Sequence, residues 1–209
     1  MDLARITVGG WLVATVAVGA VVTGCGNDQK NSSPSSSTTS SSGAATSSSG
    51  SGTVTAPSQG QPTDYSSLLI KASDIGGDFK TPQPPVLNPN NAAGVAQLFA
   101  NPDNSRRIGD TILIVADPEV AKAGIENTKA NYAGKVSGTW QPVDVGSNGF
   151  MISGNSPDNS QAVTVLLFSE GKAVVNIEFD SAPNDPIDPA IATDVGRKQD
   201  AAIKSGLPG

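Results

Sequence analysis

The chain has 209 residues, with 19 acidic against 13 basic side chains, no histidine and a single cysteine, for a formal net charge of −6. The absence of imidazole excludes Ser-His-Asp and Cys-His nucleophile systems and His/Cys zinc sites. The acidic balance speaks against a basic, phosphate-binding face, so nucleic acid is not an expected partner.

Residues Ile6 to Gly24 carry no charge and are mostly Val, Ala, Leu and Gly, behind a short flank in which Arg5 opposes Asp2. A weakly positive flank before an apolar stretch is the layout of an export signal. The glycines Gly9, Gly10, Gly19 and Gly24, and a length close to the about 20 residues a spanning helix needs, argue against an uncleaved membrane anchor. The stretch ends in Val22-Thr23-Gly24-Cys25, small residues directly before the sole thiol. This pattern resembles the bacterial lipobox. The resemblance implies a diacylglyceryl group and palmitate on Cys25, removal of residues 1–24, and attachment to the outer face of the cell membrane by acyl chains. An exported domain ordinarily uses cysteines in pairs, and an odd one is explained if it carries lipid. Free secretion and an uncleaved anchor are the alternatives.

From Asn31 to Thr63 the chain is almost wholly Ser, Thr, Gly, Ala, Pro, Gln and Asn, without a charge. Such a segment buries too little apolar surface to offset its ordering entropy, so residues 25–63 are expected to form a disordered linker. Random-coil scaling gives it a reach of roughly 30–35 Å. The composition fits an O-glycosylated stalk and an unmodified tether equally.

Residues 64–209 are expected to form one domain. A short helix is predicted over Tyr65–Ser73, capped by Asp64 and stopped at Gly76-Gly77, followed by an extended Pro82–Pro89. Ala92–Ala100 reads as a second short helix, and Asn101–Ser105 as a turn. Arg106–Ala116 reads as a strand, leading into a helix whose start is marked by Asp117-Pro118 and which stops around Gly134. Strands are expected at Gly138–Val145 and Gly149–Gly154, with Gly146–Gly149 as the turn between them. A hairpin pairs Ala162–Phe168 with Ala173–Phe179 across Ser169–Lys172. Both faces of its first strand are apolar, so that strand should be central and covered on both sides. Asp188-Pro189 opens a last helix to about Gly206, with Ile191, Val195, Ala202 and Ile203 on its buried face and Arg197, Lys198, Asp200 and Lys204 off it. The fold class is therefore α+β, a mainly antiparallel sheet with packed helices.

The tetrapeptide Pro-Asp-Asn-Ser occurs at Pro102–Ser105 and Pro157–Ser160, each time before a strand and later an Asp-Pro helix start. A duplicated strand–helix unit is one reading. Shared turn and capping chemistry accounts for the match without duplication and is preferred.

The layout of lipobox, Ser/Thr-rich stalk and small α+β domain resembles a type of lipoprotein common in mycobacteria and related actinobacteria. Leu68-Leu69-Ile70 with Asp74-Ile75-Gly76 resembles the opening of the extracytoplasmic sensor-like domains of some mycobacterial kinases and lipoproteins. The hairpin and Asp188-Pro189 helix fit that layout, and equally the PsbP/Mog1-like domains of other mycobacterial lipoproteins.

No glycine-rich phosphate loop and no calcium loop is present, so no cofactor, metal-binding or catalytic residue is assigned, and Cys25 is the one site residue. Trp140 is a candidate for a groove or for the core. Glu178 and Asp180, two apart on a strand, fall on one face, with Asp185 and Asp188 nearby. They make a carboxylate-dependent envelope hydrolase the alternative to the leading expectation. That expectation is a non-enzymatic, lipid-anchored module binding an envelope protein or a small lipophilic ligand.

Overall fold

A computed structural model describes residues 63–207 of the chain. The export segment, Cys25 and the Ser/Thr-rich stretch up to Pro62 lie outside the described residues. Within them the fold is α+β: a seven-stranded antiparallel sheet with helices on both faces. The strands are β1 (Val86–Leu87), β2 (Gly94–Ala100), β3 (Arg107–Ile114), β4 (Gln141–Pro142), β5 (Ser147–Asn155), β6 (Ala162–Glu170) and β7 (Ala173–Ser181). They lie in the order β1-β2-β3-β7-β6-β5-β4. A one-turn helix, α1 (Ala72–Ile75), precedes them, α2 (Pro118–Asn131) follows β3, and α3 (Pro189–Gly206) ends the domain. Among the described residues no helix is long and apolar enough to cross a membrane.

Both long helices begin as their sequences dictate. The Asp117 carboxylate accepts the Val120 N–H at 2.9 Å and that of Asp188 the Ala190 N–H at 2.8 Å, each with proline next, where a missing N–H costs nothing. The β6–β7 hairpin closes more tightly than expected, on Gly171-Lys172 alone, with Gly171 at φ 53°. Successive residues of a strand point to opposite faces, and in β6 both sets meet a helix-covered core. Leu166 and Phe168 join Val175, Ile177 and Phe179 of β7, Ile108 and Ile112 of β3 and Val195 and Ile203 of α3. Val163, Val165 and Leu167 pack with Ala121 and Ile125 of α2. A strand covered on both sides has no wet face, which is why β6 shows no polar alternation.

Several elements depart from expectation. The helix predicted over Tyr65–Ser73 is split: a 3₁₀ turn at Ser66–Leu68, extended backbone at Leu69 (ψ 141°), then α1. The Gln199 side chain of α3 explains the break, accepting the Ile70 N–H at 3.0 Å and donating to the Leu68 carbonyl at 2.6 Å. The helix predicted over Ala92–Ala100 is strand β2. Its residues pair with β3 from Gly94↔Leu113 to Ala100↔Arg107, and at Gly94 (φ 154°) a Cβ would run into the Ile112 carbonyl. Of Gly138–Val145 only Gln141–Pro142 is strand. The stretch Gly146–Gly149 is the bulged entrance of β5 rather than a free turn, with a register shift between Ser147 and Phe150. On α3, Val195 and Ile203 are buried and Arg197, Lys198 and Lys204 exposed as predicted, but Ile191 is 44% exposed and Asp200 only 9%, the reverse of what is predicted for those two.

The two Pro-Asp-Asn-Ser turns prove to be one geometry used twice. In each, the aspartate Oδ1 accepts the N–H (3.1 Å) and hydroxyl (2.8 Å) of the serine two residues on. Asn104 and Asn159 hold φ of 56° and 54°. The recurrence extends far beyond the turns, at a constant offset of 55 positions. Val86↔Ala96 and Leu87↔Val95 recur as Gln141↔Met151 and Pro142↔Phe150. The Asn88 N–H to Gly94 carbonyl bond recurs as Val143 to Gly149. Ala100↔Arg107 recurs as Asn155↔Ala162. From their cap residues α2 and α3 bury the same positions, Ala121, Gly124, Ile125 and Thr128 against Ala192, Val195, Gly196 and Gln199. Local turn chemistry does not set strand register, so the preference for coincidence is overturned: β1-β2-β3-α2 and β4-β5-β6-α3 are an internal repeat, with β7 inserted before the second helix. Both β3 and β6 run antiparallel to β7 and flank it. A half-turn about the β7 axis therefore superposes the halves and exchanges the sheet faces.

Candidate functional site

The densest polar constellation lies on the α2 face, where the end of α2 meets β7. The helix terminates at Tyr132, whose ring is buried against Trp140 in an edge-on contact, centroids 6.1 Å apart at 73°. Period-two alternation puts Asn176, Glu178 and Asp180 of β7 on this face. The Tyr132 hydroxyl donates to Glu178 Oε2 at 2.6 Å and accepts from Asn176 Nδ2 at 3.0 Å. Asp180 faces its cross-strand partner Arg107, whose Nη2 donates to Oδ2 at 3.1 Å. Around the rim the Lys129 ammonium sits 3.6 Å from the Phe150 ring centroid and that of Lys135 5.9 Å from the Tyr132 centroid.

Burial dominates the electrostatics. It pushes the Tyr132 phenol up, and the neighbouring Glu178 charge reinforces this, so the hydroxyl is a fixed donor. Burial likewise raises Glu178, against the lowering effect of the Tyr132 hydrogen bond, and Asp180 raises it further. Asp180 is raised by burial while the Arg107 guanidinium opposes the shift. The arrangement presents a row of hydrogen-bonding groups with one cation, each side chain held by a named neighbour.

Glu178 and Asp180 do share a face. Asp185 and Asp188 do not join them: Asp185 pairs with Arg106 at 2.6 Å, and Asp188 caps α3. Tyr132 and Arg107, the residues that fix the two carboxylates, are missing from the sequence-derived site. Tyr132 is visible there only as a residue near the end of the helix that stops around Gly134, and Arg107 only as part of the strand Arg106–Ala116. Trp140 packs half-buried against the α2-face core. Cys25, the one site residue assigned from sequence, lies outside the described residues. No group of three or more acidic, histidine or cysteine side chains that could hold a metal ion occurs among the described residues.

No family model matches the chain, and no curated protein matches it either. Among solved structures it is similar to the extracellular domain of PknH from Mycobacterium tuberculosis, with a TM-score of 0.50 and 12% sequence identity over 69% of this chain and 98% of that one. The likeness is one of fold.

Proposed function

We propose that this chain is a lipid-anchored cell-envelope protein whose domain is a non-enzymatic binding module on the outer face of the membrane. The observation that carries the reading is the fold shared with an extracellular domain over 98% of that domain's length. The sequence supplies the rest: an export signal over residues 1–24, lipidation at Cys25, and a linker to residue 63 that holds the domain near the membrane at raised effective concentration. The contact face is the Tyr132–Asn176–Glu178–Asp180–Arg107 row. Its lining is polar, which favours an envelope protein offering hydrogen-bonding and cationic groups over a small lipophilic ligand. With Glu178 held by a phenol and Asp180 by a guanidinium, binding is favoured over hydrolysis.

Cys25→Ser in the full chain tests the anchor. Expected are loss of the acyl mass from the protein and its release from the membrane fraction. Retention at wild-type level with unchanged mass defeats the proposal.

A further inference from the structure

The centre of β3 holds a carboxyl group that the α2-face site does not use. Asp110 is 0% exposed, and neither of its oxygens has a hydrogen-bond partner. Its surroundings follow from register. Directly across lie Gln97 of β2 and Ile177 of β7. Two residues away along β3 on the same face are Ile108 and Ile112, and at the diagonals Val95, Phe99, Val175 and Phe179. Seven of these eight neighbours are apolar, and all seven belong to the α3-face core. The internal repeat shows how foreign the group is. The positions equivalent to Asp110 and Gln97 in the second half are Val165 and Ile152, both in the α2-face core.

On this face α3 and the N-terminal segment, residues 68–83, cover the sheet together. Leu68, Ile70 and Ile75 pack into the same core as the neighbours of Asp110. Gln97, the residue facing Asp110, donates its amide to the Gln83 carbonyl at 2.9 Å and so ties the segment beside it. The segment's far end is held by Gln199, and by Lys198 Nζ on the Asp74 carbonyl at 2.8 Å. Apart from the isolated bridge Lys80↔Ala100, no residue of the segment joins the sheet. β2, β3 and β7 are locked by continuous ladders and α3 is a long capped helix, whereas the segment is held by one bridge and a few side-chain bonds, so of the elements covering this face it is the one that opens at least cost.

We propose that residues 68–83 are a proton-latched strap: it lies closed over the sheet while Asp110 is a neutral carboxylic acid, and it lifts when that group ionises. Lifting bares Val95, Phe99, Ile108 and Ile112 and frees the part of the domain that leads back to residue 63. No charged group offsets the ionised form. The facing side chains from β2 and β7 are uncharged, and of the strap's own charges Lys71, Asp78 and Lys80 are exposed while Asp74 accepts the Lys71 N–H. On α3, Lys198 is engaged with Asp74 and Asp194, and Asp200 with Lys204. Desolvation alone moves Asp110, from an ordinary 3.8 up to about 7. A raised carboxyl makes the closed state bind more protons than the open one, so closure weakens as pH climbs through that window and stops weakening above it.

Hydrogen exchange on the full chain between pH 5 and pH 7, corrected for intrinsic rates, tests the strap. The Ile70 amide and its strap neighbours are expected to lose protection about tenfold to a hundredfold over that range, while β6 and β7 amides hold theirs. Asp110→Asn is expected to abolish the loss. A uniform loss across the sheet, or the same loss in Asp110→Asn, overturns the proposal. Should the variant not fold, carbon-detected titration of the wild-type Asp110 carboxyl decides: a midpoint near 4 rejects the latch, and one near 7 keeps it.

Discussion

The two halves of the domain share one backbone plan and differ in what they place inside it. β1–β3 and β4–β6 repeat register and turn at a fixed offset (86 to 141, 107 to 162), and α2 and α3 repeat the Asp-Pro cap with β7 inserted before the second. The second half fills its central positions with Ile152 and Val165, and the first fills the same two with Gln97 and Asp110. Geometry was retained while chemistry diverged, so the divergent positions mark where the halves do different things.

The largest expected effect comes from moving the buried acid across the repeat. Val165→Asp is expected to cost about 4 kcal/mol at pH 7.5, since an unpartnered carboxyl in an apolar core must either ionise without solvent or be protonated against the medium. Asp110→Val is expected to move stability the other way. Urea midpoints of both variants check the pair, and a Val165→Asp domain within 1 kcal/mol of wild type would break the equivalence of the two cores.

A second contrast lies in the helices, at the matching positions Thr128 and Gln199. The Thr128 hydroxyl donates only to the Gly124 carbonyl of its own helix at 2.8 Å, whereas Gln199 satisfies two backbone groups of the strap. Gln199→Leu should therefore cost about 2–4 kcal/mol by leaving a buried N–H and carbonyl unpaired, and Thr128→Val less than about 1 kcal/mol. Thermal unfolding of the two variants side by side would sharpen the comparison, and equal losses would remove the special role of Gln199.

The smallest effect is at the start of the paired strands, where the first half has Arg107 and the second Ala162. Arg107→Gln removes a partly buried ion pair, its side chains 30% and 20% exposed, but leaves an amide that can still hydrogen-bond Asp180, so it is expected to cost about 1 kcal/mol. If the α2-face row contacts an envelope protein, cross-linking yield should fall more than stability does.

What the sequence made legible was local. Asp-Pro caps, the two-sided apolar run of β6, and the turn at Gly171 are read from neighbours within a few residues. Ala92–Ala100 was misread because Ala, Gln and Leu favour helix, while the strand state is imposed by β3 and by the close approach at Gly94. Leu68–Ile70 was misread because its hydrogen bonds are taken by Gln199, 129 and 131 positions away. The site followed the same rule. The common face of Glu178 and Asp180 is a matter of period, but Tyr132 and Arg107 reach them from 46 and 73 positions away, beyond any local pattern. The repeat shows in residue identity only as the Pro-Asp-Asn-Ser turns and the Asp-Pro helix starts, because register is stored in spacing.

The two outermost strands are two residues each, and prolines stand at both margins: Pro84, Pro85 and Pro89 around β1, and Pro142 within β4. A proline has no N–H to offer an approaching strand. A neighbouring copy therefore meets no open ladder to extend at either margin, even though Val86 and Leu87 are exposed there. Copies held at the high local density that the proposed anchor would impose would not fuse edge to edge.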